Sequence, residues 1–284
     1  MPHRPHRSPV ARRLFALTEP ICLVAFFSEE PNEEMAALGF RGYWDGYFAG
    51  RAAPMGHAGA EVVDAAFYSF GPGEVARHIP KVWATTTPEE ARAARERGCV
   101  RALRTILGPL ADSPELARAA DLLARAATTA PSEGRAVYAG LRALPVPSDP
   151  LTRLWFAADT LREHRGDGHV AALLAERVGR TEAHVLSAVD MGIHPPESFG
   201  RIHHLPAGYL ADVMAGLRER GLLDTDDRFT EAGRATKDRV EALTDALAEA
   251  AYDALSDAEL DELVEALGPI AERLGETGSD SSRA

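Results

Sequence analysis

The chain has 284 residues, 45% of them hydrophobic and 26% charged, with a formal net charge of −12. This is globular composition, long enough for one large or two moderate domains, and its acidity opposes non-specific nucleic-acid binding unless the arginines gather on one face. The two cysteines, Cys22 and Cys99, build no disulfide or zinc framework by themselves and suit a reducing compartment.

Residues 1–14 read as a basic, Pro-rich tail expected to be disordered. The apolar stretch behind it breaks at Thr18-Glu19-Pro20, which makes a poor signal peptide. No apolar run of about 18 residues follows anywhere, so no membrane span is expected and the chain is read as cytoplasmic.

The segment "GFRGYWDGYFAGRAAPMG" at 39–56 has a helical repeat. Wound as a helix, it puts Gly42, Gly46 and Gly50 on one face, Phe40, Trp44 and Phe48 on a second, and Tyr43, Tyr47 and Arg51 on a third. A glycine inside a helix costs roughly 1 kcal/mol relative to alanine, so the bare face predicts a close neighbour, either another helix or a flat ligand. Two phenols and a guanidinium in register suit a carboxylate or phosphate. Tyr43, Trp44, Gly46, Tyr47 and Arg51 are therefore the candidate ligand-binding residues. Asp45 is expected to pair with an arginine.

Thr87 before Pro88, Ser113 before Pro114 and Ser256 with Glu259 mark helix starts. The stretch "ALPVPSDP" at 143–150 is the expected lobe boundary. Beyond it, "REHRGDGHVAAL" crowds titratable side chains around Gly166 and Gly168. One reading has Asp167 or a histidine capping a helix that starts near His169. The sharper one has Asp167 orienting an imidazole for acid–base work, with His164, Asp167 and His169 as catalytic candidates. His194, His203 and His204 could supply metal ligands beside Asp167, but no tight spacing motif supports a metal site, and the sequence names no cofactor. Residues 275–284 read as a disordered tail.

The segments "YWDGYFAG" and "RGDGHVAA" match at a shift of 122 positions, and "ERG" recurs at a shift of 123. Taken as a duplication, this predicts two similar helical lobes, 15–142 and 150–274, related by a pseudo-two-fold axis. Tyr47 and His169 would then be equivalent and face one inter-lobe pocket.

Residues 209–234, "YLADVMAGLRERGLLDTDDRFTEAGR", carry Leu217, Arg220, Gly221, Leu222, Thr230, Gly233 and Arg234 in the pattern L-x-x-R-G-L, wing, T-x-x-G-R. This resembles the winged helix-turn-helix of the multiple-antibiotic-resistance-regulator (MarR) family. Upstream, Ala175, Gly179 and Val185 sit at helix-turn-helix offsets, with Gly179 in the turn. The resemblance implies a recognition helix followed by a small β-hairpin wing. As a DNA reader the stretch is poor: the helix starts "LPAGYLADV" and the wing "DTDDRF" holds three carboxylates where phosphates would lie. The whole chain also resembles a largely uncharacterised actinobacterial family that pairs a glycine-aromatic segment with a later "REHRGDGH" and a divergent winged helix. That family lends no activity.

The expectation is an all-α fold of two lobes, the second with a divergent winged helix and a small β-hairpin. Its predicted function is binding of a small molecule in the inter-lobe pocket, in one form as an acid–base enzyme of specialised metabolism. The alternative is a ligand-responsive MarR-like DNA-binding regulator. DNA is the less favoured partner, and the terminal helices weakly suggest a homodimer.

Overall fold

Local capping chemistry sets the frame of the computed structural model, which describes residues 8–281, with side chains to residue 276. Twelve α-helices follow in chain order: α1 (Ser8–Phe27), α2 (Glu29–Ala37), α3 (Tyr43–Ala52), α4 (Ala60–Phe67), α5 (Pro88–Leu107) and α6 (Pro114–Thr129), then α7 (Ala136–Arg142), α8 (Pro150–Ala175), α9 (Arg180–Asp190), α10 (Ala207–Glu219), α11 (Glu231–Glu249) and α12 (Asp257–Ser281). Thr87 and Glu90 form a reciprocal capping box at α5, and Ser256 and Glu259 do the same at α12. Ser113, Asp149 and Thr230 each accept a backbone N–H at the starts of α6, α8 and α11. Each cap satisfies donors that the first turn leaves orphaned.

The 26-residue α8 is the axis of the molecule, and α1, α5, α6, α7 and α11 pack around it. The largest core joins Leu14, Leu103, Leu123, Leu154, Leu263 and Leu267, drawn from both halves of the chain. A second core surrounds α3 with Met35, Phe48, Phe67, Val75, Ile79 and Val82. The third, with Val185, Leu186, Ile202, Leu210, Met214, Leu217 and Val240, holds the helix-turn-helix part.

This packing corrects the two-lobe expectation. α1 lies against α11 and α12, and α6 against α12, so one core spans the supposed boundary. The Pro-rich stretch at 143–150 only leads into α8, with Asp149 as cap and Pro150 in the first turn. The repeat has no structural counterpart, because Asp45 opens α3 while Asp167 lies well inside α8.

"REHRGDGH" is likewise continuous helix rather than a bend. Gly168 has a local cause: a Cβ there would lie 2.7 Å from Arg135 Nη1. The bare position lets that guanidinium cross α8 and donate to the carbonyls of His164 and Leu247.

Of the proposed N-terminal tail, residues 8–14 belong to α1 and 1–7 lie outside the described residues. Of the proposed C-terminal tail, the backbone stays helical to Ser281, and 282–284 lie outside the described residues.

The winged-helix pattern is realised at its turns. Gly179 caps α9 and donates its N–H to the Glu182 carboxylate at 2.8 Å. Gly221 takes a φ of +68° just past α10, the left-handed geometry that ends a helix at least cost in a residue without Cβ. The β-hairpin is not formed. Leu223 and Phe229 make one isolated antiparallel bridge, and no strand occurs among the described residues. The Asp224 carboxylate accepts N–H groups from Asp226 and Arg228 within the turn, and the Asp224 and Thr230 N–H groups donate to the Arg228 and Leu222 carbonyls on either side of the bridge.

Candidate functional site

On α8, Asp159, Glu163 and Asp167 recur one turn apart on a single buried face. Each meets a partner from another element. Arg95 on α5 donates to both Asp159 oxygens at 2.7 and 3.0 Å. Arg51 on α3 donates to both Glu163 oxygens at 3.2 and 3.1 Å, and its Nη1 reaches the Tyr47 hydroxyl at 3.2 Å. Burial pushes the Glu163 carboxyl up, but Arg51 and Arg162 outweigh it and hold its pKa at about 2.

Asp167 accepts the Tyr138 N–H at 3.0 Å, so it caps α7 from a neighbouring helix. Burial raises its pKa to about 6. None of the three carboxylates bonds an imidazole. His164 is 1% exposed, its ring lies edge-on to Tyr138, and neither nitrogen has a hydrogen-bond partner of good geometry. Burial, with Arg135 pressing the same way and the Pro131 backbone opposing, holds its pKa down to about 3.

His169 Nδ1 lies 2.9 Å from Thr244 Oγ1, whose own proton goes to the Val240 carbonyl at 2.7 Å. The imidazole must therefore be the donor, with Nδ1 protonated. Burial keeps its pKa at about 4. His164, Asp167 and His169 thus share a helix without forming the expected acid–base pair.

The glycine face of α3 is occupied by protein at Gly46 and Gly50, while Gly42, just before the helix, faces open space. A Cβ at Gly46 would lie 3.0 Å from Met35 Cβ, and one at Gly50 would lie 2.8 Å from Met35 Cε and 2.9 Å from Arg95 Cδ. Gly46 therefore lets α3 pack closely on α2, and it also lines the small cavity between these helices. A cavity between α1, α2 and α3, lined by Phe26, Met35, Tyr43, Tyr47 and Arg51, measures about 20 Å³, and one beside His164 about 10 Å³. Both are water-sized.

The outer faces of α3 are different. Trp44 lies within 5.2–6.4 Å of Tyr43, Tyr47, Phe48, Phe70 and His204, in tilted and edge-on contacts. Yet Tyr43 and Trp44 stay 40% and 41% exposed. Two carboxylate–imidazole pairs flank this cluster. Asp45 accepts from His78 Nδ1 at 2.7 Å and from Lys81 at 3.0 Å, while the His78 ring stacks on Phe48 at 4.6 Å. Glu74 holds His204 Nε2 with one oxygen and the Gly71 N–H with the other.

Sequence reasoning named Tyr43, Trp44, Tyr47, Arg51 and His204 but missed Glu74, His78 and Arg95. It also gave Asp45 an arginine where the structure gives it histidine and lysine. His203 bonds the Gly200 carbonyl, so the suggested ligand set around Asp167 is not assembled. Among the described residues no cluster of three or more His, Cys, Asp or Glu is placed to hold a metal ion.

The helix-turn-helix part is clamped against this region. Tyr68 donates its hydroxyl proton to the Val178 carbonyl at 2.6 Å, and Arg180 bonds Asp64 and the Phe70 carbonyl. A four-residue turn, 176–179, joins α8 to α9, and residues 191–206 join α9 to α10. The exposed face of α10 presents Ala207, Gly208, Ala211, Asp212, Ala215, Arg218 and Glu219. Arg218 is bound to Asp227, and Arg220 beyond the helix to Glu182.

Compared with known families, residues 11–280 match one described as a helix-turn-helix family. The chain belongs to this helix-turn-helix family. No curated protein matches it, and no solved structure does. Among the described residues, no helix is long and apolar enough to cross a membrane.

Proposed function

We propose that the chain binds a planar aromatic small molecule at the Tyr43–Trp44 edge, between the end of α1, α3 and the loop at 199–206. The observation that carries this is the 40% and 41% exposure of two adjacent rings, Tyr43 and Trp44, packed on a cluster in which Phe48 is buried and Tyr47 and Phe70 are partly covered. Phe26 packs on Tyr47 at 5.8 Å, which brings the end of α1 to the same cluster, and the next residue, Phe27, is 80% exposed. Soluble proteins keep grouped apolar surface mainly where something binds, and offset stacking on indole and phenol rewards a flat partner. His204, fixed by Glu74 next to Trp44, is the imidazole placed at this edge, whereas His164, Asp167 and His169 lie in the helical interior. Titration calorimetry against a panel of bicyclic and tricyclic aromatic amides tests the reading. Saturable binding that weakens at least about tenfold, or 1.4 kcal/mol, in Trp44→Ala supports it; binding unchanged by that substitution, or none, refutes it.

The family match favours a second reading, a DNA-binding regulator that uses the same aromatic edge as sensor. The loop at 199–206 runs from this edge straight into α10, so an occupant touching Trp44 and His204 bears on the helix that would face DNA. Against this reading stands the surface of α10, with its arginines already paired and the acidic turn 224–227 beside it.

A further inference from the structure

We infer that the Tyr43–Trp44 edge belongs to a larger surface that takes single-stranded nucleic acid, with bases stacked on the exposed rings and phosphates met by the cations around them. This rests on the ring-stacking reading of that edge and names a class of partner for it.

Three segments converge at this surface. Residues 39–48 carry the rings. Residues 71–85 reach them through His78, which bonds Asp45 at 2.7 Å and stacks on Phe48 at 4.6 Å, and through Lys81, 3.0 Å from Asp45. Residues 199–206 reach them through His204, whose ring lies 6.3 Å from that of Trp44. The neighbouring Leu205 presses on the second segment, where a Cβ at Gly71 would lie 2.5 Å from its Cδ2.

The sign of charge here is opposite to that of the whole. The chain holds 31 Lys and Arg against 43 Asp and Glu, whereas these three segments hold Arg41, Arg77, Lys81 and Arg201 against Asp45 and Glu74 alone. Both carboxylates are already engaged, Asp45 by His78 and Lys81, Glu74 by His204 and the Gly71 N–H. Arg41, Arg77 and Arg201 are exposed, and among the described residues their side chains have no partner. Arg41 stands two residues before Tyr43, and Arg77 adjoins His78, so both are anchored beside the ring cluster. Arginines gathered on one face are the condition under which an acidic chain still holds a polyanion.

Exposed indole and phenol interleaved with arginine are the composition of a single-strand platform, because every base offers a flat π-face and every linkage a phosphate. A duplex keeps its base faces inside its own stack and offers these rings nothing to cover them. An acidic peptide or an anionic bilayer engages the same arginines but brings no flat ring with each charge.

Fluorescence anisotropy tests this with a labelled thymidine strand of about 15 nucleotides, within the site sizes of such platforms. An abasic strand and a hairpin duplex of the same length are the comparisons, titrated between about 50 and 200 mM salt. The thymidine strand should bind at least about tenfold tighter than either comparison. Trp44→Ala should abolish that margin, and Trp44→Phe, which keeps a ring, should retain it. Arg41→Gln and Arg77→Gln should each weaken binding and flatten the slope of log K on log salt by about 0.7. Arg228→Gln, in the turn after α10, should change neither. A duplex or abasic strand bound as tightly as the thymidine strand overturns the inference, as does strand binding that Trp44→Ala leaves intact. Phosphatidylserine vesicles that bind the chain when the strand does not assign the arginines to a membrane surface and overturn it too. If flat aromatic amides bind and the strand does not, the inference fails and the aromatic site stands; if neither binds, both fail.

Discussion

Arg51 and Glu163, 112 residues apart in sequence, meet through two hydrogen bonds of 3.2 and 3.1 Å and lock α3 onto α8. With Arg95–Asp159 one turn away, they convert what reads as a reactive cluster into a row of ties between helices. A buried pair adds little over a well-packed apolar replacement, but removing one partner strands the other charge. Glu163→Leu should therefore cost about 3–5 kcal/mol, and Arg51→Leu with Glu163→Leu together clearly less than the sum of the single changes. Urea unfolding of the double-mutant cycle measures this. The folded-state pKa of Glu163 lies below its ordinary 4.5, so its contribution is present above about pH 4.5 and fades as pH falls towards 2.

Asp167 carries the opposite sign. Its folded-state pKa of about 6 exceeds the ordinary 3.8, so its contribution is full below pH 3.8 and is lost as pH rises through 6. Asparagine keeps an acceptor for the Tyr138 N–H without a buried charge. Asp167→Asn should raise stability at pH 7 by about 1–2 kcal/mol, less than the full linkage value of the shift because that value is an upper bound. It should match the parent near pH 3.5. Thermal melts across this range decide the point, and a loss at pH 7 would show that the ionised carboxylate is needed.

His164 is a buried imidazole whose one polar neighbour, the Pro131 backbone, is poorly placed for a hydrogen bond, a costly arrangement. Because its folded-state pKa of about 3 lies below the ordinary 6.5, its contribution is present above pH 6.5 and is lost as pH falls towards 3. His164→Leu should leave stability at pH 7 within about 1 kcal/mol of the parent or higher, with a flatter decline on acidification. A loss above about 2 kcal/mol would mean that the ring has partners, such as an internal water.

The exposed side of α10 and the acidic turn after it should give no phosphate affinity at physiological salt. Fluorescence anisotropy with a random labelled duplex in about 150 mM salt is expected to show binding no tighter than about 10⁻⁴ M, the weak end of non-specific affinity. Sub-micromolar binding would bring the regulator reading forward.

What the sequence made legible was local. Thr87, Ser113, Thr230 and Ser256 cap their helices through residues three positions away, and Gly221 ends α10 by its own conformational freedom. Long-range choices were not legible. Gly166 and Gly168 suggested a break, yet packing of α8 on α6 and α11 overrides a propensity cost of roughly 1 kcal/mol apiece. The glycine face of α3 was recognised as a close contact, but nothing in "GYWDGYFAG" names Met35 and Arg95 as the partners. The Asp45–His78 and Glu74–His204 pairs join segments 33 and 130 residues apart, which no spacing motif encodes. The row Asp159, Glu163, Asp167 at four-residue intervals was there to be read as one buried helical face.

Trp44 is the most exposed tryptophan, since Trp155 is buried and Trp83 is mostly covered. Its emission is thus the most direct probe of the aromatic edge. Titrating the panel of flat aromatics against the full chain should give saturable quenching and loss of iodide accessibility, both absent in Trp44→Phe. Unchanged iodide quenching at saturating concentrations of every compound, or the same response from Trp44→Phe, would contradict the account.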